Sequence, residues 1–337
     1  MTRLPGDRAT VGPPTIRPPT IRVGTCSWTD PTLVRQTHWY PRRTMSAAER
    51  LGFYAERFPI VEADSTYYFP PTPELCRTWA ERSPDDFRMN VKAWSLLTGH
   101  PTLPQSLWED MLGAIGPAHR GKRRLYASHL EPGALEEAWA RFRHALSPLG
   151  ESGRLGLVLA QYPRWFGPSE KSRDTLRALA EQLGPLAGCV EFRHHRWMEG
   201  DRCEETLELL EELDLAYVCV DEPQGFPSSV PPVVAATAEV AVVRFHGRNA
   251  ETWDRRVPTA AHRFRYRYRR AELEEWVPRI AELAASSAEV HVLMNNCWRD
   301  DAVVNATQMM QLLGGEDPLP DDAGPPPAPW AQQRLAL

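Results

Sequence analysis

The sequence predicts a single-domain TIM-type (β/α)₈ barrel, and three observations support this prediction. Eight short apolar segments recur along the 337 residues, each of a length typical of a β-strand. The segments are continuously apolar rather than alternating, as expected for parallel strands that are buried on both faces. Amphipathic stretches with the period of an α-helix separate them, and eight such units make up one barrel.

The eight predicted strands follow one another along the chain, and each ends in polar residues. A doubly wound open sheet is the alternative, but that fold usually carries a glycine-rich phosphate-binding turn after its first strand. Residues 24–27 (Gly-Thr-Cys-Ser) do not provide such a turn. The eight predicted strands are Ile21–Cys26, Pro59–Ala63, Phe87–Val91, Leu155–Gln161, Gly188–Phe192, Ala216–Val220, Val240–Phe245 and Val290–Met294.

Helices are predicted between the strands from their apolar period and their capping residues. Ser46 and Glu49 have the spacing of a capping box, which predicts a helix that continues to about Phe58. Residues 96–130 are interpreted as an insertion that carries short helices. The remaining predicted helices are Thr72–Arg82, Leu135–Leu149, Ser169–Leu183, Glu204–Leu213, Ala271–Ala285 and Asp301–Leu313.

Both ends of the chain are rich in proline. Residues 1–20 contain five prolines and residues 315–337 contain six, so eleven of the 32 prolines lie in these two segments. Such segments favour extended, polyproline-like conformations over packed structure. We therefore expect flexible proline-rich tails at 1–20 and 315–337 and one barrel domain at 21–314.

The composition excludes several classes of protein. The net charge of −5 argues against a dominant basic field for duplex nucleic acid, and 42% hydrophobic residues suffice for a large core. No run approaches the roughly 18 apolar residues of a membrane span, so no membrane partner is expected. The N-terminal segment lacks the apolar core of a secretory signal, and the six cysteines include no C-x-x-C pair. Together these features predict a cytoplasmic protein with reduced thiols.

The candidate functional residues follow the predicted strands, because barrel enzymes place their chemistry at the carboxyl-terminal strand ends. Charged residues beside apolar strands are normally paired or used in function. Candidate catalytic residues are the acidic and imidazole side chains Glu62, Glu191, Asp221 and His246. Candidate substrate-binding residues are Thr25, Trp28, Asp64, Lys92, Gln161, Arg193, Arg244 and Asn295.

The residue types define the chemistry that this set can perform. Two carboxylates in unlike surroundings can divide into a general acid and a general base, the roles predicted for Glu62 and Glu191. Lys92, Arg193 and Arg244 can bind a phosphate or carboxylate group. Three alternatives stay open. In the first, the polar residues at the strand ends do no more than cap turns and helices. In the second, the charged residues form salt bridges that close the barrel. In the third, carboxylates and histidine hold a divalent metal, although no close-spaced ligand motif is present.

Two basic segments lie outside the strand ends. Residues 262–270 interleave arginine with aromatic residues, a pattern typical of surfaces that follow phosphates and stack bases. The alternative is a solvated loop whose aromatic residues pack inward. Residues 120–124 form a second basic cluster with the same two interpretations.

Eight motifs occur in order from residue 23 to about residue 313: Val23–Trp28, Trp39–Pro41, Tyr54–Pro59, Val61–Tyr68, Phe87–Lys92, Val190–His194 with Trp197, Val243–Arg248, and Asn295–Asn296 with Ala302–Ala306. In these motifs the chain resembles the domain of unknown function 72 family, the YecE-like proteins. The resemblance implies a TIM-type barrel with a site at its mouth, but no reaction, because the activity of the family is not established. Asp64 stands where that family frequently has asparagine, which adds a carboxylate to the mouth.

The expected function is that of an enzyme of hydrolase or isomerase type. It would use carboxylate acid–base chemistry on a small polar or anionic substrate that contains a sugar or phosphate group. One alternative is a metal-dependent phosphodiesterase similar to DNA-repair nucleases, with residues 263–270 contacting nucleic acid, which depends on fold analogy. Another is a non-catalytic ligand-binding barrel. No cofactor or metal can be assigned from the sequence.

Overall fold

The computed structural model describes residues 19–324, which form a closed barrel of eight parallel strands, as predicted. Neighbouring strands pair in chain order, and β1 closes the barrel by pairing with β8 from Thr20 opposite Glu289 to Thr25 opposite Met294. The predicted strand ends differ from the observed ones by no more than one residue. The strands are β1 (Thr20–Thr25), β2 (Ile60–Ala63), β3 (Arg88–Lys92), β4 (Leu155–Gln161), β5 (Gly188–Glu191), β6 (Leu215–Asp221), β7 (Val240–Phe245) and β8 (Glu289–Met294).

Helices cover the outside of the barrel. The predicted capping box is present, since Ser46 Oγ accepts from the Glu49 amide and Glu49 Oε2 accepts from the Ser46 amide. No helix within residues 19–324 has both the length and the apolar character needed to cross a membrane. The helices are α1 (Pro31–Gln36), α2 (Ala47–Ala55), α3 (Pro73–Glu81), α4 (Ala134–Glu151), α5 (Glu170–Leu183), α6 (Arg202–Glu212), α7 (Ala260–Arg263), α8 (Arg270–Glu274), α9 (Val277–Ser286) and α10 (Asp301–Leu313).

Three connections differ from a regular strand–helix alternation. Residues 95–129 form short 3₁₀ helices, in agreement with the predicted insertion. Residues 222–239, between β6 and β7, contain no helix, because four prolines in this segment remove amide donors and obstruct helical turns. The predicted helix 271–285 is divided into α8 and α9, because Pro278 lies in the first turn of α9, where proline is tolerated.

The proline-rich segments lie mostly outside the described residues, so the predicted tails at 1–20 and 315–337 are described only at their inner ends. There, Thr20 is already part of β1. After α10 the backbone of Leu319 donates to Gln311 Oε1 at 2.9 Å and accepts from Gln308 Nε2 at 2.8 Å. Polar side chains on α10 thus satisfy the backbone of the first residues that follow this helix.

Candidate functional site at the barrel mouth

A cavity of about 610 Å³ opens at the carboxyl ends of the strands. Strand-end residues form its lower wall, and the loops after β2, β3, β4, β6 and β7 form its rim. Five of the predicted substrate-binding residues line it: Asp64, Lys92, Gln161, Arg193 and Asn295. The structure therefore gathers residues from strands that are far apart in the chain around one opening.

Beneath the cavity, Arg244 joins two carboxylates inside the barrel. Its Nη2 donates to Oε1 of Glu62 at 2.7 Å, and its Nη1 donates to Oε2 of Glu191. All three side chains are at most 1% exposed. Side chains on a strand alternate between its two faces, and these three all face the lumen. Together they form a buried ion-pair layer that closes the barrel below the mouth.

Glu191 is surrounded by donors. Its Oε1 lies 2.6 Å from Arg193 Nε, 2.6 Å from Gln161 Nε2 and 3.1 Å from His246 Nε2. Burial alone would raise the pKa of this carboxyl, but Arg193 and Arg244 hold it well below its usual range. Glu191 therefore stays ionised, and its geometry suits a positioning role rather than the proton transfer predicted from the sequence.

His246 lies in the same buried cluster. Its Nδ1 is 2.8 Å from Asn295 Nδ2, so Nδ1 accepts the amide hydrogen and the ring proton is placed on Nε2, towards Glu191. Burial, reinforced by Arg193, lowers the pKa of His246 to about 3. The imidazole is consequently neutral at pH 7 and serves to orient Glu191 and Asn295.

Asp64 and Lys92 are the titratable pair that faces the cavity. Lys92 Nζ donates to Gln161 Oε1 at 2.9 Å, and burial together with Arg244 lowers the pKa of this ammonium group. Within residues 19–324 the Asp64 carboxylate has no hydrogen-bond donor. Burial raises the pKa of Asp64 to about 7, although Lys92 acts in the opposite direction. The Asp64 carboxyl can therefore exchange a proton near neutral pH, beside an ammonium group whose pKa is lowered.

Thr25 and Trp28, predicted to bind substrate, do not line the mouth. The Thr25 hydroxyl and amide contact the Tyr54 hydroxyl of α2, at 3.1 and 2.7 Å, on the outer side of β1. Trp28 donates from Nε1 to the Ala47 carbonyl at 3.0 Å and packs edge-on against Trp79. Both side chains attach the surrounding helices to the barrel. Thr25 points outward from the end of β1, and Trp28 lies in the loop that follows this strand.

Asp221, predicted to be catalytic, also lies outside the lumen. Its carboxylate accepts from Tyr268 Oη, from Trp276 Nε1 and from Arg248 Nη2, each at 2.7 Å. These donors belong to the segments between β7 and β8 that cover β6. The neighbouring Glu222, which was not predicted as a site residue, reaches inward, and its Oε2 lies 3.1 Å from Arg193 Nη1.

Most of the rim consists of residues that were not predicted from the sequence. Of the basic segment 262–270, only Arg263 and Phe264 line the cavity, while Arg267 is bound to Asp300 and Asp301. The rim is instead made by loop residues with no strand-like pattern. They are Tyr67, Tyr68, His100, Arg164, Trp165, Trp253, Arg255 and Arg256. The interleaved Trp253-Asp-Arg-Arg256 run after β7 is the one signal in the sequence that could have identified part of this set.

A divalent metal site is one of the alternatives predicted from the sequence. Among residues 19–324, no group of three or more histidine, cysteine, aspartate or glutamate side chains is arranged to hold a metal ion. Arg244 lies between the carboxylates of Glu62 and Glu191, and His246 Nε2 already contacts Glu191 Oε1 at 3.1 Å and Arg193 Nη2 at 3.2 Å. The described residues therefore show an ion-pair cluster here and no ligand set.

Comparison with known proteins shows the family. Residues 22–333 match the model of the family described as protein of unknown function DUF72. The UPF0759 protein YunF of Bacillus subtilis (strain 168) is 32% identical over 295 residues, which cover 86% of this chain and 94% of that protein. A DUF72 family crystal structure from Enterococcus faecalis V583 is 26% identical, covers 87% of this chain and 94% of that one, and superposes with a TM-score of 0.70. A DUF72 family crystal structure from Thermotoga maritima MSB8 is 28% identical, covers 87% of this chain and 99% of that one, and superposes with a TM-score of 0.67. The chain belongs to the DUF72 family.

Proposed function

We propose that this protein is an enzyme of hydrolase or isomerase type that acts on a small anionic substrate at the barrel mouth. The charge of the cavity carries this proposal. Six cationic side chains line it (Lys92, Arg164, Arg193, Arg255, Arg256 and Arg263), against two carboxylates, Asp64 and Asp254. A concave site with this excess of cations attracts phosphate or carboxylate groups and binds them through charge-assisted hydrogen bonds.

Proton transfer is assigned to Asp64 and Lys92 rather than to Glu62 and Glu191. A general acid or base works best when its pKa lies near the working pH, and the pKa of Asp64 is raised to about 7. Both groups face the cavity, so a substrate can reach them. Glu62 and Glu191 lie below them, each bound to Arg244.

The buried layer has a positioning role in this proposal. Gln161 accepts from Lys92 through Oε1 and donates to Glu191 through Nε2, so it links the ammonium group to the ion-pair layer. Both ends of its amide are therefore fixed, which holds Lys92 in one orientation towards the cavity. Such preorganisation lowers the reorganisation needed when charge develops on a substrate.

The anion site is tested by calorimetric titration with inorganic phosphate and glucose 6-phosphate. We expect the Arg256→Ala variant to bind both compounds about tenfold more weakly, because one charge-assisted contact is lost. Arg82→Ala, which removes an exposed arginine that does not line the cavity, is the matched control and should bind like the wild type. Identical affinities of Arg256→Ala and the wild type would contradict the assignment.

Catalysis is tested by hydrolysis of p-nitrophenyl phosphate and by isomerisation of glucose 6-phosphate. We expect Asp64→Asn to lower the rate of the reaction that the wild type performs by at least about 100-fold. Asp85→Asn, at an exposed position outside the cavity, is the control. Phosphate binding without turnover by the wild type would favour the non-catalytic ligand-binding barrel.

A further inference from the structure

One side of the mouth consists of large aromatic rings that are unusually exposed. Trp165 is 58% exposed and Tyr68 is 53% exposed, and both line the cavity. Exposed apolar groups around a concave site mark a surface that binds a ligand. Tyr67, Tyr68, His100 and Trp165 are termed the aromatic wall below.

The aromatic wall is continuous. Ring centroids are separated by 5.1 Å between Tyr67 and Tyr68, 5.2 Å between Tyr67 and His100, and 6.3 Å between His100 and Trp165. Burial lowers the pKa of His100 to about 3, with Lys92 acting in the same direction, so its ring is uncharged at pH 7. The wall thus offers several π faces and no charge of its own.

The segment after β7 contributes three of the six cations that line the same cavity. Arg255 and Arg256 are exposed, and within residues 19–324 neither forms an ion pair. Arg263, in α7, donates from Nη2 to the Arg255 carbonyl at 3.3 Å and forms no ion pair among the same residues. These three guanidinium groups are therefore available to an anion.

We infer that the mouth accepts a phosphate ester that carries a flat aromatic ring. The ring stacks on the aromatic wall, and the phosphate is held by the arginines of the loop after β7. The inference rests on the proposed function for the anion and adds the ring as a second requirement. A volume of about 610 Å³ suits a small molecule with both parts. Nucleoside monophosphates and simple aryl phosphates share this chemistry.

Calorimetric titration of the full chain with AMP, phenyl phosphate and ribose 5-phosphate tests the inference. We expect both ring-bearing esters to bind at least about tenfold more tightly than ribose 5-phosphate, the size of effect that base–aromatic stacking produces. Whichever of AMP and phenyl phosphate binds more tightly identifies a nucleotide or an aryl ester as the source.

Substitutions in the aromatic wall distinguish the contribution of the ring to affinity from that of the phosphate. We expect Trp165→Ala and Tyr68→Ala to weaken AMP and phenyl phosphate about tenfold and to leave ribose 5-phosphate unchanged. Trp165→Phe retains an aromatic face and should recover most of the affinity. Tyr126→Ala removes a tyrosine that is 36% exposed but outside the cavity, and it is the matched control. Circular dichroism confirms that each variant is folded.

Two results would overturn the inference, and they differ in what they imply. Equal affinities for AMP, phenyl phosphate and ribose 5-phosphate would exclude a contribution from the ring but leave the anion site of the proposed function intact. If none of the three esters binds and inorganic phosphate does not bind either, the anion site is excluded, and both proposals are contradicted.

Discussion

Asp221 and Glu222 are adjacent in the sequence, yet their carboxylates lie on opposite faces of the barrel wall. Asp221 accepts from Trp276 Nε1 at 2.7 Å in the outer layer, whereas Glu222 lies 3.1 Å from Arg193 beside the mouth. Successive side chains at the end of a strand alternate in direction, so a shift of one residue changes the assigned role completely.

The outer position of Asp221 predicts a structural role. Asp221→Ala should reduce the free energy of unfolding by about 3 kcal/mol, because Arg248, Tyr268 and Trp276 lose their buried acceptor. Phosphate binding at the mouth should not change. Urea denaturation and calorimetry measure the two effects. Asp174→Ala, which removes an exposed ion pair with Arg177, should cost less than about 1 kcal/mol. A loss of phosphate binding without a loss of stability would contradict this prediction.

The ion-pair layer predicts a large effect at Glu191. Glu191→Gln keeps the shape of the side chain but leaves Arg244 with only Glu62 as a carboxylate partner, and we expect a loss of about 3–5 kcal/mol in urea denaturation. Glu137→Gln, at an exposed ion pair with Arg141, should stay within about 1 kcal/mol of the wild type. Equal stabilities of the two variants would show that the buried layer contributes little.

Asp64 predicts a dependence of stability on pH. Its pKa is about 7 in the folded protein, against about 4 for an unfolded aspartate, so the native state binds this proton more tightly. The free energy of unfolding therefore falls as the pH rises from 4 to 7. With allowance for screening in an open cavity, Asp64→Asn should be more stable than the wild type by about 2 kcal/mol at pH 8 and equal to it at pH 4. Urea denaturation at both pH values measures this difference, and a constant difference would refute the prediction.

Close packing between β1 and β2 predicts that Gly24 cannot be replaced. A Cβ atom at this position would lie 2.0 Å from the Ile60 carbonyl oxygen, well inside van der Waals contact. Gly24→Ala should cost at least about 2 kcal/mol of stability, or prevent folding. Gly113→Ala, where no atom lies within 4 Å of the added Cβ, should fold normally. Thermal denaturation of both variants distinguishes the two sites, and a normal Gly24→Ala melting curve would contradict the packing argument.

The barrel could be predicted from the sequence because its main constraint is local. Strands buried on both faces need unbroken apolar runs, and these were visible in segments such as Leu155–Gln161 and Val240–Phe245. The meeting of Glu62, Glu191 and Arg244 also followed, since charged residues at the ends of such strands must be paired. The direction of each side chain did not follow, as Thr25 and Asp221 show.

The rim could not be predicted because loops lack a period. Trp165 belongs to a loop whose conformation depends on tertiary contacts, and nothing in its local pattern distinguishes it from a solvated residue. The proposed proton-transfer pair, Asp64 and Lys92, could not be identified from the sequence either. Asp64 and Glu191 both carry a carboxyl group and differ in their donors, and two donors of Glu191, Gln161 and Arg244, come from other strands.

The layer formed by Glu62, Arg244 and Glu191 has a consequence for how this architecture can diversify. A molecule that enters between the loops meets these charges first, so it does not contact the side chains that lie deeper in the barrel. The residues that would bind a ligand therefore lie above the layer, and the residues that stabilise the barrel lie below it. Exchanging the loops that carry Trp165 and Arg256 would retarget the opening towards another compound, and the scaffold below would keep its shape.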